Sequence, residues 1–369
     1  MPPVTPPEPT RADYGGACVA SVVPALLRKE APAWMPEPVA GSRAVVLLVL
    51  DGLGWDALAA HADRMPNLAA MAGGPITTVV PSTTAAALTS ITTGLPPSVH
   101  GVVGFRIALE GDVLNVLGFQ LARNKRAPDP FTVQRHAPFL GRPAVVVSGA
   151  AYRDSGFTKV HMRDARFVGY RAESTMVEHV RGLARGADPF VYAYYPGIDE
   201  VAHAYGLHDG YYAAELAAAD RLVGEVRAAL PDDVVLVVTA DHGQSHVGPD
   251  GWRTLGEVGD LVAYCSGDAR FRYLHATRGG GAELAEAAAD RFGREAWVWS
   301  RAELLDGGWL GPDPSPATRR RVGDVVLAAH DGIAFVDPAM PRETHLVSAH
   351  GSLTAAEMRV PLVAARGGA

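Results

Sequence analysis

The segment RAVVLLVLDG, residues 43–52, decides the fold because it joins a buried strand to an acidic turn. Residues 43–50 form an unbroken run of mostly β-branched and leucine side chains, which is typical of a strand buried on both faces of a mostly parallel sheet. Asp51 and Gly52 follow at once. In α/β proteins, functional sites lie beyond the carboxyl ends of such strands. The segment therefore predicts an α/β fold with a site near Asp51.

Two later segments repeat this arrangement. Phe190–Tyr195 has strand character and leads into Asp199, and Val234–Thr239 leads into Asp241. Tyr211–Leu230, between them, has the apolar spacing and the alanine content of a long helix. Because strands alternate with helices, we expect an α/β fold whose central, mostly parallel sheet is flanked by helices.

Changes in composition and pattern along the chain suggest how it divides into segments. Residues 1–16 are rich in proline and are expected to be a flexible arm, and residues 17–369 to be a single catalytic domain. Helical patterns occur at Asp56–Ala62 and Asn67–Ala72. Residues 104–189 have short strand signals and basic loops, so we expect a cap insertion there. Residues 251–340 mix strand and helix signals.

Composition excludes some classes of partner. The formal net charge of −7 over 369 residues argues against a nucleic-acid polymer, although it does not exclude a small phosphate ester. Cys18 and Cys265 belong to no CxxC cluster, so neither a disulfide framework nor a cysteine zinc site is indicated. Residues 1–14 do not resemble a signal peptide, and no apolar run is long enough to cross a membrane. We expect a cytoplasmic protein without a membrane partner; the oligomeric state is not predicted.

The segment VVPSTTAAALTSITTG, residues 79–94, places hydroxyl groups at the start of a helix. Ser82, Thr83 and Thr84 precede an alanine-rich run that ends at Gly94. Free N–H groups and the positive end of the dipole at a helix N-terminus suit a phosphate oxygen. An ordinary helix cap explains the segment equally well when it is considered alone.

Histidines accompany the aspartates that follow the strands. If the chain is helical after Asp199, His203 lies on the same helix face, a spacing that suits chelation of one ion. His242 follows Asp241 directly, and His350 lies beside a glycine. Mixed aspartate and histidine sets favour zinc or a similar divalent ion. Each residue alone is explained by a cap or a turn, whereas the joint pattern indicates a two-metal site.

These motifs, in this order, resemble those of the alkaline phosphatase superfamily, and most closely those of its nucleotide pyrophosphatase/phosphodiesterase branch. The resemblance extends over about residues 43–363. It rests on the short segments at residues 49–52, 81–84 with 93–96 and 99–101, 199–203, 239–243, and 349–351.

The resemblance implies a site with two zinc ions, other divalent ions remaining possible. Thr84 would be the nucleophile and would contact both metals. It is chosen by spacing, because the nucleophilic threonine of that branch lies ten residues before the glycine that Gly94 matches. Thr83 is the second choice. Zinc would lower the pKa of the hydroxyl, and a phosphothreonine would form and then be hydrolysed. The metal ligands would be Asp51, Asp241 and His242 for one ion and Asp199, His203 and His350 for the other.

One departure concerns substrate binding. Family members often have an asparagine soon after the His-Gly pair, whereas residues 102–106 here contain none. Arg106 or the N–H group of Ala85 is the expected substitute, and Arg106 is equally well explained as a loop cation. Further candidates for substrate contact, which solvated loops explain as well, are Lys159, His161 and His246.

The expected activity is therefore hydrolysis of small phosphodiesters, including nucleotides. Phosphomonoesters or phosphonates are alternative substrates for the same site, and a catalytically silent zinc-binding protein is the alternative from a different class. A sulfatase is not expected, because residues 81–85 do not fit the Cys/Ser-x-Pro-x-Arg motif.

Overall fold

The computed structural model describes residues 7–123, 125–208 and 210–368. The α-helices in these ranges are α1 Val19–Arg28, α2 Trp55–Ala60, α3 Pro66–Ala69, α4 Thr84–Thr93, α5 Pro97–His100, α6 Pro130–Val133, α7 Gly156–His161, α8 Glu173–Ala184, α9 Gly197–Tyr205, α10 Gly210–Ala229, α11 Gly281–Phe292, α12 Arg301–Asp306, α13 Pro316–Arg321 and α14 Ala355–Met358. None of these helices combines the length and apolar character that crossing a membrane requires.

The strands are β1 Ala44–Leu50, β2 Ala72–Thr77, β3 Arg106–Leu109, β4 Asp112–Asn115, β5 Gln120–Leu121, β6 Val145–Gly149, β7 Arg166–Tyr170, β8 Phe190–Tyr195, β9 Val234–Thr239, β10 Ser245–His246, β11 Trp252–Arg253, β12 Val262–Gly267, β13 Phe271–Ala276, β14 Ala296–Ser300, β15 Val325–Ala329, β16 Ala334–Phe335, β17 Ser348–Ala349 and β18 Arg359–Arg366. Most of them belong to two seven-stranded sheets.

The main sheet confirms the predicted α/β fold. Its order is β2-β18-β9-β1-β8-β6-β7, and the five strands from β9 to β7 are parallel. Every residue of β1 is buried, as its uninterrupted apolar run predicts. In register, Leu50 lies opposite Tyr195 of β8, and Val49 lies opposite Thr239 of β9. The loops after these three strands therefore leave the sheet side by side.

The second sheet is antiparallel and was not predicted. Its order is β14-β15-β13-β12-β3-β4-β5. Residues 104–189, expected to be one insertion, divide between the sheets: β3, β4 and β5 join the second sheet, whereas β6 and β7 extend the main one. Of these short strands, β3 pairs with β12, which is distant in sequence, and β4 and β5 follow it in the sheet.

Residues 7–16 lie against the body of the protein. The N–H group of Thr10 donates to the carbonyl of Leu353 at 2.8 Å. The Tyr14 hydroxyl donates to the carbonyl of Trp309 at 3.2 Å and accepts from the N–H group of Val80 at 3.1 Å. These contacts hold residues 7–16 of the expected flexible arm against the rest of the protein. Residues 1–6 of that arm lie outside the described residues.

Candidate active site and metal centre

The first group of acidic and imidazole side chains follows β1 and β9. Asp51 comes directly after β1, and Asp241 and His242 follow β9. Because the two strands are parallel neighbours, their following residues meet at one edge of the sheet. His242 Nε2 lies 3.4 Å from Asp51 Oδ1 and 3.5 Å from Asp241 Oδ2. The loops thus form a compact, fully buried triad.

The second group is centred on α9. Asp199 lies in the first turn of this helix, not at the end of a strand as expected, and His203 follows one turn later on the same face. The nitrogen His203 Nε2 lies 3.4 Å from Asp199 Oδ2, and His350 Nε2 lies 3.7 Å from Asp199 Oδ1. The rings of His350 and His242 stack with centroids 3.5 Å apart, which links the half-buried second triad to the buried first one.

The three imidazoles share one orientation. Each places its Nδ1 atom against a backbone carbonyl oxygen, which only accepts hydrogen bonds. Nδ1 therefore carries the hydrogen, and the lone pair of each Nε2 faces the carboxylates, as in metal-bound histidines. The Nδ1 atom of His203 lies 2.7 Å from the carbonyl oxygen of Ser348. That of His242 lies 3.0 Å from the carbonyl of Gly243, and that of His350 lies 3.0 Å from the carbonyl of Ser82.

Two buried carboxylate oxygens of the first triad, Asp51 Oδ1 and Asp241 Oδ2, have no hydrogen-bond partner among the described residues. Burial raises the pKa of both carboxyl groups, and the negative charges of Asp241 and Asp199 raise that of Asp51 further. Burial, followed by the charges of the neighbouring histidines, lowers the pKa of His350. A divalent cation in the first triad would use the two unpartnered oxygens and the Nε2 lone pair of His242. A cation in the second triad would use the carboxylate of Asp199 and the Nε2 lone pairs of its two histidines. The side chains present therefore fit two metal ions.

Thr84 is the hydroxyl residue that faces the triads. It is the first residue of α4, and its Oγ1 atom lies 3.0 Å from His242 Nε2. Thr83 is the N-cap residue, but its hydroxyl donates to Asp268 Oδ1 at 2.7 Å instead of capping the helix. The hydroxyl of Ser82 donates to a backbone carbonyl at 2.6 Å. Of the three candidate hydroxyls, geometry favours Thr84.

The helix behind Thr84 ends at Gly94, as predicted, in the left-handed conformation with φ 72°. Its residues are all buried. The first N–H groups of an α-helix have no acceptor within the helix, and they carry the positive end of its dipole. The N–H group of Ala85 is therefore available to an anion bound beside Thr84.

His100 has a structural role. Its Nε2 contacts Ser90 Oγ at 2.8 Å, and its Nδ1 accepts from the N–H group of Val102 at 3.0 Å. Burial lowers its pKa to about 3, so the ring is neutral. The histidine of the His-Gly motif thus connects α4 to the segment after α5 and does not join the metal ligands.

The structure does not bring Arg106 to these residues. Its guanidinium group is buried in the second sheet and forms an ion pair with Asp337, which also lies 3.7 Å from Arg272. Arg106 does not line the cavity beside Thr84. The expected substrate contact through Arg106 therefore has no geometric support, because a buried carboxylate already engages the group.

A cavity of about 220 Å³ opens beside the two triads. Asp51, Thr84 and Asp199 form one side of it, and its other walls are mainly apolar and aromatic. His161 is the substrate-contact candidate that lines this cavity, whereas Lys159 and His246 do not. The space accommodates one organic arm of a small ester.

Two further polar contacts were missed by sequence reasoning. The Tyr194 hydroxyl donates to Asp51 Oδ2, and the Gln244 side-chain amide donates to Asp199 Oδ1. Tyr194 lies inside an apolar strand and Gln244 lies in a loop, so neither belongs to a metal-ligand pattern. The position of Gln244, two residues after His242, was the available signal.

The mostly parallel sheet, the two triads around a threonine at a helix N-terminus and the family match together define the class: a metal-dependent phosphoric ester hydrolase of the alkaline phosphatase superfamily. Within that class, the model of the type I phosphodiesterase/nucleotide pyrophosphatase family matches residues 45–353, and the chain belongs to this family. No curated protein sequence matches the chain.

Solved structures share the fold at low sequence identity. Murine ectonucleotide pyrophosphatase/phosphodiesterase 5 is 18% identical, with a TM-score of 0.66 over 86% of this chain and 87% of that one. The human protein of the same name is 16% identical, with a TM-score of 0.67 over 88% and 89%. Phosphonoacetate hydrolase from Sinorhizobium meliloti 1021 is 19% identical, with a TM-score of 0.62 over 89% and 91%.

Proposed function

We propose that the protein hydrolyses small phosphodiesters or pyrophosphates, with Thr84 as the nucleophile and a zinc ion in each triad. The observation that supports this most strongly is the position of Thr84, whose Oγ1 lies 3.0 Å from His242 Nε2 at the start of α4. Mixed histidine and aspartate ligands favour zinc over magnesium or calcium.

In this mechanism, Thr84 Oγ1 attacks phosphorus and a covalent phosphothreonine ester forms. The bond from phosphorus to the leaving group breaks, which releases an alcohol from a diester or a phosphate from a pyrophosphate. Water then cleaves that ester and restores the threonine. The N–H group of Ala85 stabilises a phosphoryl oxygen at the end of the α4 dipole. Bound metal ions would lower the pKa of the attacking hydroxyl and offset phosphoryl charge.

The cavity orients the substrate. It places an organic group next to Thr84 and within mainly apolar walls. An inactive variant of the murine relative has been solved in complex with AMP, which supports nucleotides as candidate substrates here.

Phosphonate hydrolysis is the second candidate. The shared fold of phosphonoacetate hydrolase, solved with phosphonoacetate and phosphonoformate, favours it, as does the absence of the expected asparagine. A carboxylated phosphonate would need a cationic side chain in the cavity to pair with its carboxylate, whereas the engaged Arg106 and the mainly apolar walls offer none; the diester is therefore the first proposal.

The test compares hydrolysis of bis(4-nitrophenyl) phosphate, 4-nitrophenyl phosphate and phosphonoacetate by the zinc-supplemented protein. We expect the diester to be preferred. Thr84→Ala should lower diester turnover by at least about 1,000-fold while zinc content is retained. Thr83→Ala is the matched control and should keep most activity. A Thr84→Ala protein with most of its activity would contradict the proposal.

A further inference from the structure

We propose that His161 determines specificity: its Nε2 atom accepts a hydrogen bond from an O–H or N–H group on the organic arm of the ester. The inference rests on the proposed function, because it takes the cavity beside Thr84 to be the place where that arm binds. The ligand class is an ester of a compact alcohol that has apolar faces and one hydrogen-bond donor.

The orientation of the imidazole carries the argument. His161 is the last residue of α7 and is 3% exposed. Its Nδ1 lies 2.7 Å from the carbonyl oxygen of Phe157, so Nδ1 must carry the hydrogen. Nε2 is then a bare acceptor, and it has no hydrogen-bond partner among the described residues.

The protonation state agrees with this role. Burial lowers the pKa of His161 to about 4, although the bond to the Phe157 carbonyl raises it slightly. The ring is therefore neutral at neutral pH, and Nε2 accepts a hydrogen bond without donating one. A buried acceptor without a donor is unfavourable, so a ligand that supplies the donor gains affinity.

Other hydroxyl groups in this wall are already engaged. Ser155 Oγ contacts Thr158 Oγ1 at 3.0 Å, and Thr158 Oγ1 donates to the carbonyl of Tyr152 at 2.7 Å. His161 differs from both because it lines the cavity and its buried Nε2 has no hydrogen-bond partner among the described residues. His161 Nε2 is therefore an acceptor in this wall that no protein group uses.

Apolar surfaces surround that atom. The rings of His161 and Phe157 stack with centroids 4.1 Å apart. Leu88 and Met162 line the same cavity, and Leu117, which is 39% exposed, also lines it. Such walls favour a ring or another compact apolar group and disfavour an arm that presents a carboxylate to Nε2.

The test measures binding, so it does not depend on turnover. The probes are the symmetric diesters bis(3-hydroxyphenyl) and bis(4-hydroxyphenyl) phosphate, each compared with the diester that has methyl in place of hydroxyl. Symmetry ensures that the same group enters the cavity whichever arm binds. Dissociation constants are measured by calorimetry on the zinc-loaded chain with Thr84→Ala, so that no ester is consumed.

With His161 present, at least one hydroxyl probe should bind about tenfold more tightly than its methyl counterpart. His161→Phe keeps the stacking on Phe157 but removes the acceptor, so the ratio should fall to about one. His161→Gln restores an acceptor and should recover part of the preference. His275→Phe is the matched control, because His275 is also buried but contacts Ser266 in the second sheet, and it should leave the ratio unchanged.

Equal affinities for the hydroxyl and methyl probes, no binding of either, or a preference that survives His161→Phe would overturn the inference. Hydrolysis of the same diesters by the chain with Thr84 intact separates this failure from failure of the proposed function. Hydrolysis without hydroxyl preference rejects the role of His161 alone. Hydroxyl-selective binding without hydrolysis supports that role and rejects the phosphodiesterase proposal.

Discussion

At the scale of single residues, Tyr194 shapes the buried triad through one hydrogen bond. Its hydroxyl donates to Asp51 Oδ2. Burial raises the pKa of Asp51, and this hydrogen bond lowers it. Tyr194→Phe should therefore weaken zinc binding by about 10- to 100-fold, measured by competition with a chelating dye. Tyr192→Phe, two residues earlier on β8, is the control, because the Tyr192 hydroxyl has no partner among the described residues. Equal losses in both variants would contradict this role of Tyr194.

Asp268 fixes the start of α4 from the second sheet. Its Oδ1 accepts from Thr83 Oγ1 at 2.7 Å and from the N–H group of Phe105 at 3.1 Å. Burial raises its pKa to about 7, although these bonds lower it. The folded chain therefore retains a proton that the unfolded chain loses near pH 4, and this group makes the free energy of unfolding fall as pH rises from about 4 to 7.

Asp268→Asn keeps an acceptor oxygen but removes the titration. Compared with the unmodified chain, we expect a smaller loss of stability between about pH 4 and pH 7. Urea unfolding of both chains across that range measures the difference. Parallel stability curves would show that Asp268 titrates alike in the folded and unfolded states.

At the scale of elements, the sequence predicts the strands that carry the site better than those that surround it. The apolar runs of β1, β8 and β9 are continuous because these strands are buried on both faces. Local patterns are less reliable at Asn67–Ala72, expected to be helical, where α3 ends at Ala69 and β2 begins at Ala72. Residues 72–77 form a strand because they pair with β18, and the local sequence gives no sign of that pairing.

A buried ion pair connects the second sheet to the loops of the site. Arg270, between β12 and β13, makes bonds of 2.8 and 2.9 Å with the two carboxylate oxygens of Glu357 on α14. The Glu357 carbonyl accepts from the N–H group of Gly243, which follows His242. The pair therefore stabilises the loop that holds His242.

Glu357→Gln leaves the buried Arg270 guanidinium without its counter-charge. We expect the free energy of unfolding to fall by about 3–5 kcal/mol, measured by urea unfolding. Glu178→Gln is the control, because its ion pair with Arg181 is exposed, and it should change stability by less than about 1 kcal/mol. A similarly small effect of Glu357→Gln would show that the buried pair does not stabilise the junction.

At the scale of the whole molecule, the sheet order explains why distant motifs form one site. Because β1 lies between β9 and β8, the segments that contain Asp51, Asp241 and Asp199 converge. The resemblance of these motifs to those of the family was what grouped these residues in advance. They did not reveal that Arg106 belongs to the second sheet, because its partner Asp337 is 231 residues away. The contacts that select a substrate are equally non-local.

Metal binding should govern overall stability in a pH-dependent way. Without metal, the raised pKa values of Asp51 and Asp241 make the folded chain less stable as pH rises through the acidic range. Zinc would bind the deprotonated ligands, so we expect its stabilising effect to grow as pH rises. At a free zinc concentration 100 times the dissociation constant, the gain is about 2.7 kcal/mol.

Thermal unfolding with zinc or with a chelator, at about pH 5 and pH 8, tests this coupling. We expect zinc to raise Tm more at the higher pH. A gain that is equal at both pH values would mean that zinc does not bind through these carboxyl and imidazole groups. Asp199→Asn should also reduce the gain, because it removes charge from the second triad.

The most direct test of the account is to trap the covalent intermediate. The zinc-loaded protein is mixed with bis(4-nitrophenyl) phosphate, quenched in acid within the first turnover, digested and analysed by mass spectrometry. The account predicts a 4-nitrophenyl phosphate ester on Thr84 that disappears in Thr84→Ala. A modified Ser82 or Thr83, or full turnover by Thr84→Ala with no modified threonine, would contradict it.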